Sequence, residues 1–207
     1  MFETDKPYSQ ACANNSQPIL SVLSRYLDKS QGLLEIGSGT GQHAAFFSER
    51  LPHIQWHTSD LEENHAGIQA WVEDYSAEFP EAKNLASPFV LNADDCPTLS
   101  INNLASVFTA NTLHIMSWPQ VEGLFQGIGP QLPMGCLWFV YGPFNYQGKF
   151  TSESNANFDG WLKDRAPHMG IRDIEAVLVL AEKQNMKLLE DNPMPANNRC
   201  LVFRKER

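Results

Sequence analysis

The 207-residue chain is 43% apolar and 19% charged, with a net charge of −9, a balance that suits one globular α/β domain with its own core and excludes a disordered chain. The acidic charge argues against nucleic acid as a partner, because phosphate backbones draw clustered Lys and Arg; the one dense basic group, Arg204-Lys205-Arg207, reads as a solvated chain end. No apolar run approaches the roughly 20 residues needed to cross a bilayer, and Met1 to Pro7 lacks the layout of a signal peptide, so a cytoplasmic protein with no membrane partner is expected.

Residues 1–15 are polar and read as irregular. Pro18 opens a helix whose apolar positions 19, 20, 23, 26 and 27 recur at helical spacing. A strand over 32–36 leads into a glycine-rich turn and a helix over 42–51 stopped by Pro52. Ile54 to Asp60 is a second strand, Glu62 to Phe79 a helix, and Pro88 to Asp95 a third strand ending in paired acids. Leu104 to Asn111 is nearly all apolar, as a central parallel strand should be. A helix over 118–129, a strand over 135–143, a short helix over 158–163 and a last helix over 171–184 follow. Strands at 187–190 and 200–204 close the chain as an antiparallel hairpin with an unusually long loop. Alternation of this kind implies a mostly parallel sheet covered by helices on both faces, within a single domain spanning 1–207.

The four cysteines are scattered, without a C-x-x-C pair, and read as reduced, partly buried thiols; the six histidines show no ligand spacing, so no metal is expected. Chemistry concentrates at the C-terminal strand ends, where open α/β sheets bind ligands. The densest stretch is Glu35-Ile36-Gly37-Ser38-Gly39-Thr40-Gly41-Gln42-His43. The dinucleotide fingerprint needs a third glycine where Gln42 stands, which counts against a nicotinamide-dependent oxidoreductase. Asp60, ending strand two 19 residues past Gly41, stands where βαβ nucleotide folds place a carboxylate for ribose hydroxyls, although it could simply cap the next helix.

The E-x-G-x-G-x-G spacing resembles the first motif of class I S-adenosylmethionine (SAM) methyltransferases. That resemblance implies a Rossmann-like, seven-stranded sheet in the order 3-2-1-4-5-7-6, with the last strand antiparallel. It also implies SAM as cofactor and S-adenosylhomocysteine as product. Gly37, Ser38, Gly39, Gly41, Gln42 and His43 would line the cofactor, while Glu35 would orient the loop or the methionine amino group. Asp60 and Leu61 would meet the ribose and adenine side, and Asp94, rather than Asp95, the adenine amino group. Asn111, Leu113 and His114 would flank the methyl path.

A narrower resemblance covers Ala13 to Lys205. The glycine block, Ser59-Asp60, Tyr141-Gly142-Pro143-Phe144, Ser154 to Asp159, Gly170 to Asp173 and Met194 to Lys205 together resemble the family that includes methyltransferase-like protein 26. That family has a Glu-Arg-Asn-Lys run where Ala13-Asn14-Asn15-Ser16 stands, so only Asn15 is kept as a cofactor candidate. The resemblance implies a small-molecule acceptor, with a short N-terminal segment and helix over 1–30 covering the site. His114, Tyr141 and Tyr146 are the candidate catalytic residues, and Asn155, Asn157, Asp159, Arg172, Asn197 and Asn198 the candidate acceptor-binding ones. His114 could equally be a core histidine, and the Asn and Asp residues could be caps. A non-catalytic SAM-binding sensor is the rival reading; the oligomeric state stays open between monomer and homodimer.

Overall fold

The computed structural model describes residues 6–207. Helix α1 (Gln10–Leu23) precedes β1 (Gln31–Ile36), α2 (Gln42–Arg50), β2 (Ile54–Asp60), α3 (His65–Glu78), β3 (Leu85–Val90) and β4 (Leu104–Ala110). Then come α4 (Trp118–Ile128), β5 (Leu137–Gly142), β6 (Phe144–Asn145), α5 (Glu153–Arg165), β7 (Arg172–Asp173), α6 (Ile174–Lys183), β8 (Met186–Met194) and β9 (Asn198–Lys205). Seven strands form one sheet in the order β3-β2-β1-β4-β5-β9-β8, and β6 pairs with β7 in a separate two-stranded ladder. Strands β1, β2 and β3 pair in parallel, whereas β9 runs antiparallel to both β5 and β8. Apart from the numbering shift that the short β6–β7 ladder introduces, this is the expected order.

Several boundaries differ for physical reasons. The first helix starts eight residues before Pro18, because Ser9 caps it by accepting from Cys12 N, and Pro18 lies inside it. Positions 10–15 are therefore helical rather than irregular; the expectation for residues 1–5 lies outside the described residues. Strand β3 ends at Val90, so Asp94 lies beyond the strand, and β3, at the sheet's edge, tolerates Pro88. Helix α5 begins at Glu153 because Ser152 accepts from Asn155 N. The hairpin loop is short, since β8 runs to Met194 and only Pro195–Asn197 intervene, with Ala196 and Asn197 at positive φ.

The expected solvated basic end is corrected at Lys205. It is only 6% exposed, and its ammonium donates to Gly129 O and Gln184 O at the C-terminal ends of α4 and α6. Two helix-end carbonyls satisfy it where the helix dipoles favour positive charge. The cysteines are free, with Cys136 and Cys200 buried. No helix among the described residues is long and apolar enough to cross a membrane.

The chain divides into two compact units, one of residues up to 92 with 100–107 and one of 93–99 with 108–207. In the first, Leu33, Leu34, Ile36, Phe47, Ile54, Trp56 and Ile68 form the core. In the second it is Phe108, Leu124, Phe125, Trp138, Phe139, Val177, Leu201 and Phe203.

Candidate functional site

The glycine loop of the first unit leaves β1 with Gly37, Gly39 and Gly41 all at positive φ (71°, 58° and 87°). The three do different work. A Cβ at Gly41 would lie 2.8 Å from Ile68 Cα and 3.2 Å from Ile68 O, so glycine there is what lets α2 start against α3. A Cβ at Gly39 would meet nothing within 4 Å. Position 39 is thus an open, exposed cradle that packing does not require to be glycine.

Polar groups beneath the loop fix its path. Gly37 N and Ser38 N both donate to Ser59 O at 3.0 Å. Ser59 N in turn donates to Ser38 Oγ and Ser59 Oγ to Glu35 O. Glu35 is 2% exposed and accepts from Trp56 Nε1 (2.9 Å) and Ser38 Oγ (3.1 Å). These contacts tie Glu35 to the loop and to β2. Asp60 Oδ2 accepts from Gly39 N at 2.7 Å, and Oδ1 accepts from Leu61 N and Asn64 Nδ2, each at 2.7 Å. The carboxylate therefore stands at the cradle and fastens its N–H to the end of β2, while Leu61 is 41% exposed beside it.

The remaining first-unit candidates tie the N-terminal segment down. Gln42 Oε1 accepts from Ser9 N (2.9 Å), and His43 Nε2 meets Asn15 Oδ1 at 2.6 Å. That carbonyl oxygen selects the Nε2–H tautomer of His43, whose ring stacks on Phe47. Further back, Trp71 Nε1 donates to Pro7 O (2.9 Å), Lys6 pairs with Asp74, and Pro7 fills the space a Cβ at Gly67 would need. Residues 6–15 are thus fastened to α2 and α3 of the same unit.

In the second unit, β4 ends at Ala110 and Asn111 follows it, held at φ 58° with its N–H on Tyr141 O. The turn Thr112–Met116 follows, closed by Ile115 N and Met116 N on Thr112 O. His114 is 6% exposed, its ring meets Phe158 edge-on at 5.3 Å, and a Cβ at Gly142 would lie 3.7 Å from its Nδ1. Burial, assisted by the Arg172 charge, pushes its pKa down to about 4, so the imidazole is neutral at pH 7. Phe158 stacks on Trp161 at 5.8 Å and 14°, and Trp161 is 54% exposed. An aromatic row thus runs from His114 to solvent. Asp94 is exposed and accepts from Gln120 Nε2 on α4.

The acceptor-side candidates mostly hold chain to chain. Asn155 donates to Thr151 Oγ1 and Asn197 O; Asn197 donates to Ser154 Oγ and Asn198 to Pro195 O. Asp159 accepts from Ile171 N and pairs with Lys163, and Arg172 donates to Leu113 O, Met116 O and His168 O. Leu113 is buried, and Asn157 is exposed. Tyr141 is 3% exposed on β5, opposite Cys200. Tyr146 donates to Asp191, which also binds Arg199; burial and that carboxylate push the phenol's pKa well up, making Tyr146 a hydrogen-bond donor rather than a base.

Sequence reasoning overlooked Ser59 as a loop builder, Asn64 as a partner of Asp60, and Phe158 and Trp161. For Asn64 the spacing of four from Asp60 was a usable signal. No group of three or more His, Cys, Asp or Glu able to hold a metal ion occurs among the described residues.

The buried ionisable groups give stability a definite pH dependence. Burial raises Glu35 to about 7 and lowers His43 to about 4, as it does His114. A raised carboxyl pKa destabilises the fold as pH climbs from 4.5 towards 7. Lowered histidine pKa values destabilise it as pH falls from 6.5 towards 4. Between pH 5 and 6 the unfolded chain binds two histidine protons while the fold binds one on Glu35. Stability should therefore rise with pH there and flatten near pH 7, and His57, which burial also lowers, adds to the rise. Glu35→Gln removes the opposing proton, and the slope, read from urea midpoints, should then steepen by roughly 1.4 kcal/mol per pH unit.

A model of the family described as "Protein of unknown function (DUF938)" matches residues 6–205. Among solved structures, an O-methyltransferase family protein from Burkholderia thailandensis aligns with a TM-score of 0.73 at 12% identity, over 95% of this chain and 57% of that one. Human N-acetylserotonin methyltransferase, solved with SAM, gives 0.73 at 12% identity over 96% and 53%. An O-methyltransferase family 2 protein from Planctomyces limnophilus, solved with apigenin, gives 0.71 at 13% over 93% and 62%. The chain spans little more than half the length of most such structures. Likeness at this identity speaks for the fold, which is the Rossmann-like α/β fold of the class I SAM-dependent methyltransferases.

Proposed function

We propose that this chain, which belongs to the DUF938 family of proteins of unknown function, is a SAM-dependent methyltransferase that modifies a small molecule. The observation that carries this reading is the cradle at Gly39. It is open in front, at positive φ, with its N–H bonded to the Asp60 carboxylate. Gly37, Gly39 and Gly41 would present backbone to the cofactor, and Asp60 would keep one oxygen on the loop while turning free acceptor capacity to ribose hydroxyls. Glu35 would act from below, through Ser38. Bound SAM supplies an electrophilic methyl group whose bonding pair stays on sulfur as an acceptor lone pair takes the carbon.

His114 is the second unit's candidate for taking the proton an acceptor O–H gives up, as a neutral imidazole that burial makes a weak base. The row from His114 through Phe158 to the exposed face of Trp161 supports a planar acceptor that stacks. A cytosolic setting fits such a substrate. The narrower likeness to the methyltransferase-like protein 26 family is part of the same reading and rests on its quoted blocks.

Calorimetry with SAM and S-adenosylhomocysteine tests the proposal. Both should bind the full chain, and Gly39→Arg, whose side chain enters the cradle, should remain folded yet lose at least about 100-fold in affinity, some 2.7 kcal/mol. Binding of neither ligand overturns the reading. Binding without transfer of a labelled methyl group to any molecule of a metabolite extract would favour the sensor instead.

A further inference from the structure

The turn that carries His114 has few attachments of its own. Seven residues, 111–117, separate β4 from α4, and within them only Ile115 N and Met116 N close onto Thr112 O. What holds the turn comes from the segment entering β7. Arg172 Nε donates to Leu113 O (3.0 Å) and its Nη2 to Met116 O and to His168 O (3.1 Å), while Gly170 N donates to His114 O (2.9 Å). The carbonyls of residues 113, 114 and 116 are thus all met from one side.

That side is itself braced. Asp159 Oδ1 accepts from Ile171 N at 2.8 Å, and a Cβ at Gly170 would lie 3.0 Å from the same oxygen. A planar guanidinium suits this task because its N–H groups diverge in fixed directions, which a lysine ammonium on a flexible stem does not reproduce.

We propose that Arg172 is the positioning residue of the acceptor side: its guanidinium fixes the Leu113–Met116 turn and so aims the His114 imidazole, rather than binding the acceptor. This rests on His114 being the proton acceptor of the proposed reaction, but the clamp is measurable without substrate. Its charge has a second effect, adding to burial in keeping His114 neutral. The facing α5–β7 segment also carries Asp159, paired with Lys163, His168, whose carbonyl Arg172 holds, Arg165 over the Trp161 ring, and Glu153, Asp164 and Asp173. The facing aromatic, Phe158, and Gly142 of β5 carry no charge.

The experiment compares Arg172→Met and Arg172→Lys in the full chain, by NMR titration of the His114 ring between about pH 3 and 7, which brackets its pKa of about 4, and by amide exchange. In Arg172→Met, the His114 pKa should rise by at least about half a unit, and protection of the Ile115 and Met116 amides should fall at least about tenfold more than that of core amides. Arg172→Lys should keep the titration near that of the parent while losing protection at the same two amides. An unchanged titration with unchanged protection in Arg172→Met overturns the proposal, and so does a loss of protection spread evenly over the chain. If Arg172→Met does not fold, parental protection of Ile115 and Met116 in Arg172→Lys overturns it. SAM calorimetry on the parent is separate: no binding there defeats the methyltransferase reading and leaves the clamp to be judged by these two signals.

Discussion

Gly41→Ala is expected to destabilise the first unit by at least about 3 kcal/mol, a fall in melting temperature of roughly 6–12 °C. Two effects add. The residue sits at φ 87°, in the left-handed region where a Cβ costs energy, and that Cβ would meet backbone, Ile68 Cα at 2.8 Å. Backbone cannot step aside as a side-chain end can, so relief requires α2 and α3 to part. Gly39→Ala separates conformation from packing. It has the same handedness problem but no neighbour within 4 Å, so its cost should stay at about 1–2 kcal/mol. Thermal scans of the two variants decide the matter: equal losses would mean that the Ile68 contact has no energetic consequence.

Asp60→Ala should have the larger effect on the ligand. The carboxylate accepts from Gly39 N, Leu61 N and Asn64 Nδ2. Its removal leaves the loop N–H without its partner and takes away the acceptor proposed for the ribose. A loss of at least about 100-fold in SAM affinity is expected, since charge-assisted hydrogen bonds to two groups vanish together. Asp60→Asn keeps the shape and one acceptor oxygen, and should recover part of the affinity. A calorimetric titration in which Asp60→Ala binds like the parent would remove Asp60 from the site.

The parts of this molecule that could be read in advance follow local rules. Strand segments with a carboxylate at or next to their C-terminal end, as at Glu35 and Asp60, announce strand ends that carry chemistry, and the alternation of such segments with helical periods yields the sheet. The start of α1 escaped because Pro18 looks like a first-turn residue, whereas the signal that mattered was the modest cap Ser9. Strand β3 was displaced because the eye follows Phe89-Val90-Leu91, while an edge strand can begin at the less apolar Leu85-Ala86-Ser87 and run through proline. Lys205 was unreadable: only two helix ends from residues 129 and 184 make a buried lysine affordable.

The site divides the same way. Glycines and acids at strand ends were legible because backbone geometry demands them. The work of Gln42 and His43 was not, since their partners Ser9 and Asn15 lie about 30 residues upstream, in a helix that begins earlier than expected. Arg172 was singled out as a conspicuous polar group. Its attachment to the carbonyls of Leu113 and Met116 depends on a turn more than 50 residues away, which no spacing rule anticipates.

Strand β9 lies between β5 and β8, both of which precede it in the chain. During folding, then, β5 must wait with one edge bare while some 55 further residues are sorted, and β8 has no place in the sheet until β9 is seated. The waiting edge is Leu137-Trp138-Phe139-Val140-Tyr141, apolar and uncharged. In a concentrated refolding mixture the same segment of another molecule can pair with it first. Refolding yield should therefore fall with protein concentration, and substitutions that slow the β5–β9 pairing, such as Val202→Gly opposite Phe139, should deepen that fall.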